Sequence, residues 1–202
     1  MSTPKKKKIN KTQIRTAAAI LSAFTFVWVL IDILQGRAVG FYWFTILHRF
    51  GHSAIVMMLL SSLSVVFKNY RVPEGWFPHK VFGFYAMLYA TSHLITYYYL
   101  NGFDTAQIFR NIQSQTFILF GSFALIVLQL MELTSIKAFR VKYNKFWRGF
   151  HYVFNAAVVA VIIHVALAAK IVRPIIYFYG AFFVIFITLH IKGVRNLILK
   201  KR

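Results

Sequence analysis

The stretch PHKVFGFYAMLYATSH, residues 78–93, places a histidine at each end of an otherwise apolar segment. His79 and His93 are 14 residues apart, a spacing that on an ideal α-helix rises about 21 Å and completes almost four turns. The two imidazoles would therefore project from nearly one face of a helix at two different depths. Such a helix could hold two groups stacked across a membrane.

The composition is that of an integral membrane protein. Of the 202 residues, 59% are hydrophobic and 14% are charged, with a mean hydropathy of +0.62, whereas globular domains are about 45–50% apolar. A helix needs about 20 apolar residues to cross a bilayer. The runs are apolar on all sides, unlike the alternating strands of a membrane barrel, so the sequence predicts an all-α integral membrane bundle of six transmembrane helices. These runs lie at 16–35, 41–67, 79–100, 115–133, 150–170 and 174–191.

Basic residues give the chain a net charge of +20 and are distributed unevenly between its loops. The N-terminus, the loops after the second and fourth helices and the C-terminus carry 19 of them, and the other loops carry 4. Because cytoplasmic loops are enriched in Lys and Arg, both termini are predicted to be cytoplasmic and the protein to be a multi-pass protein of the cell inner (plasma) membrane. The basic faces suit membrane lipid headgroups or an acidic soluble partner, and no nucleic acid is expected.

The same pattern divides the chain into three parts. Residues 1–15 form a basic cytoplasmic N-terminal tail, residues 16–194 a six-helix membrane domain and residues 195–202 a basic C-terminal tail. The first apolar run, AAAILSAFTFVWVLIDIL, is longer than the core of a signal peptide, and no small-residue cleavage site follows it. We therefore expect it to remain as the first helix.

The residues that the chain lacks exclude several kinds of chemistry. There are no cysteines, which rules out disulfides, haem attachment through CxxCH and cysteine-ligated iron–sulfur clusters. No phosphate-binding glycine loop or dinucleotide fingerprint occurs. The 4 acidic residues leave little material for carboxylate catalysis or a hard-cation site. Any site chemistry must depend on histidine and aromatic side chains.

The fifth apolar run supplies a second pair of histidines. In FHYVFNAAVVAVIIHVAL, residues 150–167, His151 and His164 are 13 residues apart, about 19.5 Å along a helix axis. The third and fifth helices both run outward in this topology. His79 and His151 would thus share a level near the cytoplasmic face, and His93 and His164 a deeper one. Two neutral imidazoles at one depth can close both axial positions of a haem iron.

Another interpretation of these histidines stays open. Thirteen residues turn an ideal helix about 1300°, which leaves His151 and His164 roughly 140° apart around the axis, so a tilt, a bulge or rotated haem planes would be needed. A membrane histidine can also bond a neighbouring helix or lie among the headgroups. The paired set nevertheless favours a functional site, since ionisable residues are costly inside a membrane.

Two segments, VFGFYAMLYATSHLITYYYL and FWRGFHYVFNAAVVAVIIHVAL, resemble the ferric reductase-like transmembrane domain family over about residues 50–170. The specific parts are the pattern of Gly83, Tyr85 and His93 and the histidine pair 13 residues apart. The likeness is strongest to the haem-binding subunits of periplasmic methionine sulfoxide reductases. This resemblance implies that the chain binds haem b, with one haem for each of the two histidine pairs, and FMN as a further cofactor. It also implies electron transfer across the membrane.

The resemblance also implies which residues bind the haem iron. His93, His151 and His164 match the haem histidines of the family. His79 departs from the methionine sulfoxide reductase subunits, in which a basic residue is expected, and matches the four-histidine pattern of the ferric reductases and NADPH oxidases. The set of axial ligands is therefore His79 with His151 and His93 with His164.

The second run contains LHRFGHSA, with three further ionisable side chains. Arg49 is similar in position to an arginine near the outer haem of the transmembrane oxidases, so we expect it to bind a haem propionate; snorkelling to the interface is the alternative. His48 and His52 are four residues apart on one helical face. They could serve an outer quinone, an electron acceptor or a third metal, or they could simply pack at the interface.

These observations predict a membrane b-type cytochrome. Electrons would pass from a cytoplasmic flavin reductase or quinol to an acceptor protein at the outer face. Without its own nicotinamide-binding domain the chain would be the electron-transfer subunit of an oxidoreductase complex, dependent on a separate redox partner. The alternative is a non-catalytic subunit that anchors a larger redox or photosynthetic complex. Haem in the purified chain would separate the two.

Overall fold

A computed structural model describes residues 10–36, 42–69 and 78–168, together with 177, 179–182, 184–185 and 188. Within these residues, the side chains of 65–69, 137, 138, 140 and 144–152 are outside the description. The described chain is helical and contains no strand, which confirms the all-α class. Its helices are α1 Lys11–Leu34, α2 Tyr42–Asn69, α3 His79–Leu100, α4 Thr105–Ser114, α5 Thr116–Thr134, α6 Lys137–Lys142 and α7 Asn144–Ala168.

The bundle is assembled from two helix pairs. Helix α2 packs along α3 to form the α2–α3 hairpin, and α5 packs along α7 to form the α5–α7 hairpin. The two hairpins meet in a buried cluster that takes one residue from each of the four helices: Met58, Ala86, Leu128 and Val158. Small side chains fill the interface between α5 and α7, where Ala124 lies with Ala157 and Ala160. Small residues let membrane helices approach closely.

Helix α1 packs on the outside of the bundle through one narrow stripe. Its contact with α3 centres on Tyr89, which is fully buried, stacks on Phe26 at 4.5 Å and donates its hydroxyl to the carbonyl of Ser22. The opposite side of α1 carries exposed apolar residues such as Ile20 and Leu34. That side suits contact with lipid tails rather than water.

Three of the described helices are long and apolar enough to cross a membrane: Lys11–Leu34, Tyr42–Ser64 and Thr116–Thr134. Helix α3 has the bounds predicted for the third span, and Val153–Ala168 of α7 is a shorter apolar segment. The prediction of a membrane protein agrees with these helices, but the number of six spans is not confirmed. Most of the predicted sixth span, 174–191, lies outside the described residues, as do most of both predicted tails.

The short helix α4 was not predicted. Helix α3 ends at a turn in which Gly102 and Phe103 adopt φ values of +63° and +59°, and Asp104 then caps α4 by accepting from the Gln107 N–H at 2.9 Å. Asn111 donates to the Tyr97 hydroxyl at 2.7 Å and ties α4 back to α3. A segment of ten mostly polar residues is too short and too hydrophilic to resemble a membrane span, so the sequence alone predicts a loop there.

Candidate functional site

The two histidines predicted for the deeper level lie together in the structure. His93 of α3 and His164 of α7 have ring centroids 6.3 Å apart and perpendicular ring planes. An imidazole nitrogen binds a metal at about 2 Å, and the ring centre lies about 1.1 Å further back, so imidazoles on opposite sides of one ion have centroids roughly 6.2 Å apart. The centroid distance of this upper pair, His93 and His164, is thus close to the one expected for two imidazoles that bind one metal.

Hydrogen bonds define which nitrogen of each ring is available. His93 Nδ1 lies 2.8 Å from the carbonyl oxygen of Leu47 in α2, and His164 Nδ1 lies 2.6 Å from that of Phe117 in α5. A carbonyl oxygen can only accept, so Nδ1 donates in both rings. Nε2 of each neutral imidazole then keeps its lone pair, which is the tautomer that binds a metal.

Both imidazoles rest directly against a glycine of the neighbouring helix. A Cβ built on Gly51 would stand 3.1 Å from His93 Nδ1, and one built on Gly121 would stand 2.7 Å from His164 Nδ1. Real Cβ contacts are almost never as short as the second of these distances. The missing side chains of the two glycines thus provide the space that the imidazoles occupy.

The cleft described between α2 and α7 is mostly apolar. This shallow cleft encloses only about 10 Å³, and its lining consists of Ile55, Val161, Ile162, Val165 and Tyr179. Ligand pockets are usually about 300–1,000 Å³, so a macrocycle would have to spread these helices. The donor set and the tautomers would fit haem, whose iron binds neutral imidazole nitrogen and whose macrocycle favours apolar side chains.

Of the two histidines predicted near the cytoplasmic face, His79 has a described side chain. His79 begins α3, and its Nδ1 lies 2.9 Å from the Ser61 hydroxyl of α2, which also donates to the His79 carbonyl at 3.3 Å. The ring is half-buried. His151 falls within α7, but its side chain lies outside the description. The pairing of His79 with His151 therefore stays a prediction.

Arg49 faces α1 in the structure. Its guanidinium lies 2.5 Å from the buried carboxylate of Asp32 and within 5.3 Å of the Trp28 ring centre and 5.6 Å of that of Tyr42. Tyr42 donates its hydroxyl to the same carboxylate oxygen. Two residues along a helix turn about 200°, so Arg49 leaves α2 on nearly the opposite side from Gly51, which faces His93. Binding of a haem propionate by Arg49 stays a prediction.

The two other histidines of α2 have different surroundings. His52 Nδ1 lies 3.0 Å from the Tyr179 hydroxyl, which links α2 to the helical residues 179–182. His48 is exposed. Among the described residues no three His, Cys, Asp or Glu side chains are grouped as a metal site would require. His190 lies outside the described residues.

Several residues of the site were missed by the sequence reasoning. Gly51 and Gly121 carry no local signal, because glycine is common in membrane helices. The carbonyls of Leu47 and Phe117 are invisible to any argument from side-chain type. Asp32 did have a signal, since it is an acidic residue inside an apolar run, and the second run contains a basic residue that could face it.

Comparison with known proteins places these features in a family. Residues 54–162, more than half of the chain, match the family described as ferric reductase like transmembrane component. Over 125 residues the chain is 25% identical to the protein-methionine-sulfoxide reductase heme-binding subunit MsrQ of Pasteurella multocida (strain Pm70), covering 61% of each protein. No solved structure matches. The family match confirms the resemblance seen in the sequence, and the chain belongs to the ferric reductase-like transmembrane component family.

Proposed function

We propose that the chain is a b-type cytochrome subunit that passes electrons across the cell inner membrane. The observation that carries the proposal is the upper pair. His93 and His164 lie on different helices with ring centroids 6.3 Å apart, and each donates Nδ1–H to a main-chain carbonyl. This arrangement leaves two neutral Nε2 atoms, as a haem with two imidazole ligands requires.

The residues of the site would hold the cofactor without covalent attachment. His93 and His164 would be the axial ligands of an upper haem b, and the aliphatic side chains of α7 would cover its ring. When bound, haem supplies one-electron chemistry between ferric and ferrous iron. His79 and His151 would bind a second haem b nearer the cytoplasm, with Ser61 orienting His79. Binding of a propionate by Arg49 would require its guanidinium to leave Asp32, and FMN is a further cofactor to test.

The distribution of charge supports the orientation. Six spans with both termini in the cytoplasm put 19 of the basic loop residues on the cytoplasmic side. Electrons would then enter from a cytoplasmic flavin reductase or a quinol and leave to an acceptor protein at the outer face. The relative in Pasteurella multocida is named as a heme-binding subunit of a reductase, which supports membership of a redox complex.

Counting the haem of the purified chain tests the proposal. A pyridine haemochrome assay on the full chain in detergent should give about two haems b per polypeptide, one for each histidine pair. A value near one would show that the lower pair does not hold a haem. A value near zero, after expression with excess haem, would overturn the cytochrome proposal and favour an anchoring subunit.

A further inference from the structure

We propose that Gly51 and Gly121 are positioning residues of the upper site, each clearing the helix surface so that the facing imidazole can bond a main-chain carbonyl through Nδ1. The inference rests on the proposed function, because its purpose is to present Nε2 to an iron. Neither glycine would touch the metal. Each would act through His93 or His164.

The two histidines contact their neighbouring helices at the same spacing between carbonyl and glycine. His93 bonds the carbonyl of Leu47, four residues before Gly51, and His164 bonds that of Phe117, four residues before Gly121. In an α-helix the carbonyl of one residue accepts the N–H of the fourth residue after it. The N–H of each glycine therefore donates to the same carbonyl oxygen that accepts the Nδ1–H of the facing imidazole.

This arrangement leaves no room for a side chain. A Cβ at position 121 would be 2.7 Å from Nδ1 and 2.9 Å from Cε1 of His164, and at position 51 the corresponding distances to His93 would be 3.1 and 3.2 Å. The first contact must push the imidazole off its carbonyl. The second can be relieved by a shift of a few tenths of an ångström. Alanine should therefore be more damaging at 121 than at 51.

This arrangement of a glycine facing a histidine occurs once in each of the two helix pairs. In the α2–α3 hairpin 42 residues separate Gly51 from His93, and in the α5–α7 hairpin 43 separate Gly121 from His164. Both times the glycine lies on the first long helix and the histidine on the second. Two hairpins of nearly equal span thus present their imidazoles to each other by the same contact, which indicates a common purpose for the two glycines.

The hydrogen bond also affects the ligand chemically. Donating Nδ1–H to a carbonyl makes the imidazole a more basic ligand and fixes its orientation. A more basic ligand stabilises ferric over ferrous iron. Weakening the bond should therefore raise the midpoint potential of the upper haem, an effect that a purely structural role of glycine would not produce.

The test compares three single variants of the full chain in detergent. Gly121→Ala should lose severalfold in upper-haem content or convert that haem to a high-spin form. Gly51→Ala should keep its haem with a raised midpoint potential and a shifted low-spin electron paramagnetic resonance signal. Gly180→Ala is the matched control, because a Cβ there meets nothing within 4 Å, and it should behave like the wild type.

The outcomes separate this inference from the proposed function. A wild-type chain without haem contradicts the proposed function itself. If the wild type holds haem and Gly121→Ala keeps its content, spectrum and potential, the glycine assignment alone is wrong. Should Gly121→Ala fail to fold, Gly51→Ala decides: a shifted potential supports the assignment, and wild-type values for both signals overturn it.

Discussion

At the scale of single residues, the side chains of the site take their orientation from groups that cannot titrate. The acceptors of His93 and His164 are main-chain carbonyls, which accept hydrogen bonds in every protonation state of the protein. An orientation set by an Asp or Glu would instead add a charge within the membrane, where a charge is costly. The chain has only 4 acidic residues, and this choice of acceptor is consistent with that composition.

The exception is Asp32, whose carboxylate is buried and paired with Arg49. Asp32→Asn would leave the half-buried guanidinium without its counter-ion, at a cost of about 1–3 kcal/mol. A thermal melt of the detergent-solubilised chain should show the loss. Asp104→Asn is the matched control, because its pairing with Arg110 at 3.6 Å is exposed and worth under about 1 kcal/mol, while Asn still caps α4. Equal melting temperatures for both variants would contradict this account.

Ser61 is the residue through which the lower site can be tested. Ser61→Ala removes the hydroxyl 2.9 Å from His79 Nδ1, so the lower haem should be bound more weakly and its spectrum should shift, while the upper haem keeps its bands. Ser62→Ala is the neighbouring control, since Ser62 bonds only the Met58 carbonyl of its own helix among the contacts described. Spectra of Ser61→Ala that match those of Ser62→Ala would argue against Ser61 as a partner of the lower ligand.

At the scale of helices, formation of the site and packing of the bundle are the same event. Each histidine and its carbonyl belong to the two helices of one hairpin, and the pair forms only when α3 and α7 face each other across the core of Met58, Ala86, Leu128 and Val158. Since lipid tails are as apolar as the helix surfaces, close fit of small residues is the main force that holds such helices together. The α5–α7 interface is built in this way.

Overpacking that interface should therefore damage the site from a distance. Ala157 is fully buried between α5 and α7, and Ala157→Leu should cost about 1–3 kcal/mol and separate His164 from the Phe117 carbonyl. Ala156→Leu makes the same change on the exposed side of the helix and should be neutral. Haem content and melting temperature of both proteins are the measurements. A normal haem content in a folded Ala157→Leu protein would show that the site does not depend on the packing of α5 against α7.

The sequence was sufficient for features that have a distinct residue spacing or an apolar composition. The third helix was predicted at 79–100 and observed there. The rings of His93 and His164, predicted to share one depth, lie close together, and their binding of a haem stays a proposal. Sequence reasoning missed α4, whose ten polar residues depend on tertiary contact through Asn111. It also missed the glycines, because what matters at Gly51 and Gly121 is a side chain that is absent.

At the scale of the whole molecule, the account depends on the orientation of the bundle in the membrane. The chain has no cysteines, so one introduced cysteine is an unambiguous reporter. Lys8→Cys should be labelled by a membrane-impermeant maleimide only after the cells are opened, and Gln113→Cys of α4 should be labelled in intact spheroplasts. The reverse pattern would place the basic loops outside and overturn the proposed direction of electron flow.

The central claim is that His93 and His164 are the two axial ligands of one haem. Reduced-minus-oxidised spectra of membranes holding the wild type, His93→Ala, His164→Ala or His48→Ala test it most directly. The wild type and His48→Ala, whose side chain is exposed, should show the same b-type bands, and both other variants should lose the upper haem completely. Undiminished bands in His93→Ala and His164→Ala, or loss of a haem in His48→Ala alone, would contradict the claim.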